Sequence, residues 1–212
     1  MIYIRTGKYA ERCVILGKTG SGKTYFCREF LARLNVPRII VYDIEWEYDC
    51  LQPCFVENEL YRIKNYLYQP RFRLIFQPQT DSIEVFEEVC GLIYSNYDIL
   101  FVAEEIDTWE KSKGNLTPQF ANLIKRGRKR GISVISISQR PAECHKTVIA
   151  NAEHWFLFKL TYKGDLDWLE ENRIPKEICD KLPFLPPYYF IHFDGERAEL
   201  HAPFPNRLVG EE

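Results

Sequence analysis

The 212-residue sequence has no stretch near the ~20 consecutive apolar residues that a membrane-spanning helix requires. Its first residues, MIYIRTGKYAERC, interrupt any apolar run with charges, so no secretion signal is read there and a cytoplasmic protein is expected. Neither sign of charge dominates. The net charge of −2 excludes a polycationic nucleic-acid coat, but leaves room for a local basic patch or a ring-shaped assembly that attracts phosphates. There is no internal repeat, no low-complexity stretch and no charged tail, so residues 1–212 read as a single domain. Zinc-ligand spacing is missing as well. The seven cysteines include Cys50 and Cys54 close together, but no second Cys or His pair accompanies them. Cys13, Cys27 and Cys90 fall on apolar faces and read as buried small hydrophobes. A Cys50–Cys54 disulfide stays open for a hyperthermophilic source.

What is present is the pattern of an α/β protein. Aromatics at 15% with a single Met favour a rigidly packed core. Apolar β-branched runs at 13–16, 38–42, 73–76, 99–103, 132–138 and 155–160 alternate with helical periodicities. The first helix starts near Gly22, places Phe26, Phe30, Leu31 and Leu34 on one side and ends before Pro37. Residues 44–72 are the least legible, with a helix around Glu59–Leu67. Asp81 and Glu84 resemble a capping box ahead of Ile83, Phe86, Cys90 and Ile93. Another helix opens at Thr117-Pro118 and stops at Gly131. The chain divides into a core at about 10–160 and C-terminal helices with an antiparallel hairpin at 161–203, which is an edge addition.

The strongest chemical signal is GKTGSGKT at Gly17, Lys18, Thr19, Gly20, Ser21, Gly22, Lys23 and Thr24, which fits G-x-x-x-x-G-K-[ST] between a strand and a helix. The glycines let backbone N–H groups turn inward around phosphates, and the helix N-terminus offers them positive potential. Lys23 is placed for the β- and γ-phosphates of ATP, and Thr24 for Mg²⁺.

A second signal follows the buried strand at 99–103, which ends in Glu104-Glu105. The first acid suits Mg²⁺ through water, and the second suits alignment of a water against the γ-phosphate. Against this stands a solvated loop that merely begins with two acids, with Asp107 and Glu110 nearby. The strand at 132–138 ends in Gln139, which could sense the γ-phosphate or be a satisfied strand-end amide.

At GRKRGISVISISQRP, residues 127–141, the chain resembles the FtsK/HerA-type ATPases, in which R-x-x-G-I, a strand and Q-R-P follow one another. Val148-Ile149-Ala150-Asn151 is similar to the I-x-A-N pattern of FtsK. Asp43 with Glu47-Tyr48 is similar to the D-x-x-x-E-Y of HerA. Within the family, the short length is most like the genome-packaging ATPases of turreted icosahedral archaeal viruses.

The resemblance implies a RecA-like (ASCE) P-loop NTPase fold, with the Gln139 strand between the P-loop strand and the Glu104 strand. It implies a homo-oligomeric ring, usually a hexamer, that hydrolyses ATP and moves double-stranded DNA, here packaging a viral genome with a capsid vertex or capsid protein as partner in the host cytoplasm. Glu105 carries over as the catalytic glutamate. Glu104 departs from the usual Asp of the magnesium position. Arg128 carries over as an arginine finger toward the neighbouring subunit, with Arg126 and Arg130 as substitutes. The same cations could instead offset a helix C-terminal dipole. The loop Trp109-Glu110-Lys111-Ser112-Lys113-Gly114 is a candidate for a DNA-facing pore, against a merely solvated loop. Two alternatives remain: a cellular HerA-like DNA-processing ATPase and a small-molecule P-loop kinase. The kinase would need an acceptor pocket and an arginine-bearing lid, and neither is identified. A GTPase lacks its N-K-x-D motif here, and Glu105 argues against a non-hydrolytic switch.

Overall fold

The computed structural model describes residues 4–48, 54–80, 82–112 and 115–205. Cys50, Asp81, Lys113 and Gly114 lie outside the described residues, and with them the proposed disulfide and part of two other expectations.

The apolar runs become strands where β-branched residues meet on both faces, and helices where apolar residues recur every three or four positions. In chain order, β1 (Arg12–Leu16) leads to α1 (Lys23–Arg33), β2 (Arg38–Tyr42), β3 (Phe55–Glu57), α2 (Leu60–Leu67) and β4 (Phe72–Phe76). Next come α3 (Ile83–Tyr94), β5 (Leu100–Ala103), a small antiparallel pair β6 (Glu110–Ser112) and β7 (Asn115–Leu116), and α4 (Pro118–Arg126). A 3-10 turn over Gly127–Arg130 ends at Gly131, whose φ of +71° lies in the left-handed region that stops a helix. The remainder is β8 (Ser133–Ser138), α5 (Lys146–Asn151), β9 (His154–Leu157), α6 (Lys163–Glu171), α7 (Lys176–Cys179), β10 (Phe190–Phe193) and β11 (Ala198–His201).

Among the described residues the main sheet runs β11-β10-β9-β1-β8-β5-β2-β4-β3. Pairing is parallel from β9 to β3, and the hairpin β10–β11 adds antiparallel on the β9 side. The Gln139 strand, β8, therefore lies between β1 and β5, as the family resemblance implies. One face of the sheet packs Ile15, Val102 and Ile135 against Phe26, Phe30 and Leu31 of α1. The other packs Tyr42, Phe101 and Val134 against Phe86, Cys90 and Ile93 of α3 and Phe120 and Leu123 of α4. Each such fully buried side chain contributes roughly 1.5–3 kcal/mol.

Several local expectations are corrected. The cap of α3 is Ser82, whose hydroxyl accepts the Val85 N–H at 3.3 Å. α4 does open at Thr117-Pro118 as expected, with Thr117 as its N-cap and Pro118 in the first turn. β9 stops at Leu157 instead of running to Leu160, because Lys159 O is taken by the Lys18 N–H of the P-loop at 2.9 Å. Trp109 does not face a pore. It is fully buried, stacks on Phe86 at 4.6 Å between centroids, and its indole N–H donates to Glu104 O at 2.9 Å.

Candidate active site

β1 delivers the chain to the carboxyl edge of the sheet, and α1 leaves from there with Gly22 as its N-cap at φ +105°. Between them Lys18, Thr19 and Gly20 form an exposed tip, while Ser21 and Lys23 are buried. The Ser21 hydroxyl has no hydrogen-bond partner, and Lys23 Nζ reaches only Lys18 O, at 3.3 Å, among the described residues. Burial lowers the Lys23 pKa, with Glu105 and Glu104 the largest opposing charges. A buried ammonium and a buried hydroxyl short of acceptors at a helix N-terminus fit a polyphosphate.

Beyond the P-loop, β5 ends in Glu104 and Glu105, and β8 ends in Gln139. Gln139 Nε2 donates to Glu105 Oε1 at 2.5 Å, and its carbonyl oxygen accepts from the Thr19 hydroxyl. Lys23, Glu105 and Gln139, far apart in sequence, therefore stand at one place. Glu105 adopts φ +44°, a left-handed conformation that costs a non-glycine residue about 1–3 kcal/mol. Burial raises its pKa, Gln139 opposes the rise, and Asp107 adds to it. Asp107 in turn accepts from the Ser138 hydroxyl at 2.7 Å, which ties the ends of β5 and β8 together.

Glu104 is buried, and its Oε1 accepts from the Tyr48 hydroxyl at 2.8 Å. Burial pushes its pKa up to about 8; Tyr48 opposes the rise, and Asp43, Glu47 and Glu105 add to it. Tyr48 reaches it because the fully buried Asp43 accepts the N–H groups of Glu47 and Tyr48 at 3.0 and 3.2 Å and Gln77 Nε2 at 2.9 Å. In the sequence, the D-x-x-x-E-Y spacing is the one signal that points to Tyr48, and it carries no hint of the contact with Glu104. Arg140, also passed over, is held by the buried Asp165 at 3.2 Å.

Mg²⁺ fits this donor set. Among the described residues no group of three or more His, Cys, Asp or Glu could hold a metal by itself. Mg²⁺ beside phosphates needs only one or two protein oxygens, and the Thr24 hydroxyl and the Glu104 carboxylate are oxygens of the kind that would hold it.

Arg128 is not brought to this place. It precedes β8 at the opposite edge of the sheet and pairs with Glu153, just ahead of β9. Arg126, Arg128 and Lys129 are exposed there, and Arg130 lies over the ring of Tyr94 at 4.7 Å.

The model of the family described as "Helicase HerA, central domain" matches residues 1–199. The chain belongs to that family. Among solved structures, this HerA-family chain is similar to the genome packaging NTPase B204 of Sulfolobus turreted icosahedral virus 2 in complex with ATP-gammaS. The TM-score is 0.75 at 17% identity, over 92% of this chain and 98% of that one. It is also similar to VirB4 of Thermoanaerobacter pseudethanolicus, with a TM-score of 0.68 at 13% identity, over 96% and 92% of the two chains. These likenesses give the fold of a P-loop NTPase. Protein P9 of Pseudoalteromonas phage PM2 is 23% identical over 145 residues, which span 68% of this chain and 66% of that protein. No helix among the described residues is long and apolar enough to cross a membrane.

Proposed function

We propose that this HerA-family chain is an ATPase that moves double-stranded DNA, working as a ring, and that its task is to package a viral genome into a preformed capsid. The observation that carries the ATPase reading is the Gln139–Glu105 hydrogen bond at 2.5 Å beside the buried Lys23. An amide that holds one carboxylate oxygen leaves the other, Oε2, to take a proton from the water attacking the γ-phosphate. The water's oxygen joins phosphorus, the bond to the β-phosphate oxygen breaks, and ADP and phosphate leave. Lys23 and the P-loop N–H groups offset the charge that develops on the phosphates. Mg²⁺, held by Thr24 and through water by Glu104, would supply further charge neutralisation.

The translocase and packaging parts rest on family membership and on the likeness to a packaging NTPase of similar length. Arg128, at the far edge of the sheet, would act on a neighbour's nucleotide, with Glu153 holding it in the free chain. A hexamer is the expected assembly and a capsid protein the expected further partner.

The deciding measurement is the ATPase rate with and without double-stranded DNA. Strong stimulation is expected; a rate indifferent to DNA rejects the motor. Glu105→Gln should keep ATP binding and lose roughly 10²-fold or more in turnover. A near-wild-type rate would leave Glu105 an ordinary loop acid. Arg128→Ala should regain activity in mixtures with a Lys23→Ala subunit, and mixtures without any gain would remove its role in trans.

A further inference from the structure

The phosphate cradle has a direction. Its γ-phosphate end is the side of β1 where β8 and β5 present Gln139 and Glu105. A nucleoside at the other end of the triphosphate must emerge on the opposite side of β1, over β9 and the segment that enters β10. Tyr188 covers that exit. Its N–H donates to Ser21 O at 3.1 Å. Its ring and backbone lie so close over Gly22 that a Cβ there would come within 2.6 Å of Tyr188 Cδ1 and 3.0 Å of its Cα. Tyr25, in the first turn of α1, meets the Tyr188 ring edge-on, with centroids 5.5 Å apart and planes at 77°.

The backbone that holds this ring is unusual. Tyr189 N–H donates to Pro186 O at 3.2 Å, closing a turn whose second residue is Pro187 and whose third, Tyr188, has φ +67°. That is the pattern of a type II turn, and its third position ordinarily takes glycine because a Cβ is strained there. In the turn of the β10–β11 hairpin the same chain places a glycine, Gly195, at φ +95°. Core packing does not account for the tyrosine, since Tyr188 is 47% exposed. Strain retained under a half-exposed aromatic ring at the mouth of a binding loop points to a ligand.

We propose that Tyr188, braced by Tyr25, is the platform on which the base of the bound nucleoside triphosphate stacks. The ring reads the base by its flat face, so adenine and guanine are both accepted. This inference rests on the reading of residues 17–24 as a nucleotide site and adds where the base lies.

Titration calorimetry of the full chain with ATP, GTP and inorganic tripolyphosphate, each with Mg²⁺, tests it. Tyr188→Gly and Tyr188→Asn both tolerate the left-handed backbone but lack the ring. Both should weaken ATP and GTP by about tenfold, leave tripolyphosphate unchanged and melt no lower than wild type. Tyr188→Phe should bind like wild type. Wild-type ATP affinity in the Gly and Asn variants would overturn the platform and leave the nucleotide site standing. Equal weakening of ATP and tripolyphosphate would overturn it too, because Tyr188 would then only shape the P-loop. Wild-type protein that binds neither ligand would bring down the nucleotide site and the platform together.

Discussion

Two buried cations flank β1, and they are treated in opposite ways. Arg12, at its amino end, donates to Ile124 O, Ile132 O and Leu123 O at 3.0, 3.0 and 2.7 Å. Burial, with Arg128 next in importance, brings its pKa down to about 10, so it stays charged at neutral pH. Its donors close the carboxyl end of α4, where helix carbonyls lack partners. Lys23, beyond the other end, has one weak acceptor and a ring of carboxylates that are themselves occupied by Tyr48 and Gln139. A satisfied cation holds a fold together, whereas an unsatisfied one is kept ready for an anion that arrives later.

Substituting each cation by methionine separates the two cases. Lys23→Met should lower ATP turnover by roughly 10³-fold or more, with stability equal to wild type or above it, since an ill-satisfied ammonium is replaced by an apolar chain of similar length. Phosphate release and urea unfolding read the two quantities. Arg12→Met should instead cost about 3 kcal/mol of stability, because several buried carbonyls lose their donor at once. A Lys23→Met protein as unstable as Arg12→Met would erase the distinction.

The smallest effect concerns a third basic group, the half-buried His192, which the fold keeps neutral. His192 Nε2 lies 3.0 Å from His154 Nδ1, and burial, reinforced by His154 and His201, lowers its pKa from 6.5 to about 4. The unfolded chain takes up a proton first. Stability that is complete above about pH 6.5 is therefore lost as pH falls toward 4, by on the order of 1–2 kcal/mol once solvent screening of the half-buried ring is allowed for. Urea midpoints at pH 7 and pH 4.5 check this, and His192→Gln should flatten the difference.

Legibility followed the same divide between ordinary and specialised demands. β1, α1, β2, α3, β5 and β8 could be read because burial on one or both faces imposes a period on the sequence. Glu104, Glu105 and Gln139 could be placed together because each closes such a strand. β3 escaped notice since it is a short edge strand whose Phe55 and Val56 remain about half exposed, so no alternation marks it. Trp109 misled because polar neighbours suggested a loop, while its partners Phe86, Tyr42 and Glu104 O come from distant or reversed chain. Arg12 gave no sign of its burial, as a cation before an apolar run resembles a solvated strand end. Nothing in the string Pro186-Pro187-Tyr188-Tyr189 announces a left-handed tyrosine.

β8 has one further property. It is buried throughout, bonded to β1 on one flank and to β5 on the other, with Gln139 at one tip and the Gly127–Arg130 segment at its root. Six residues of strand make a strut roughly 20 Å long. A strut stitched on both flanks neither bends nor slides alone, so a push at the amide tip arrives at the arginine-bearing root through the whole slab. The spacing between the Gln139 tip and the Gly127–Arg130 root is thereby set by the sheet itself.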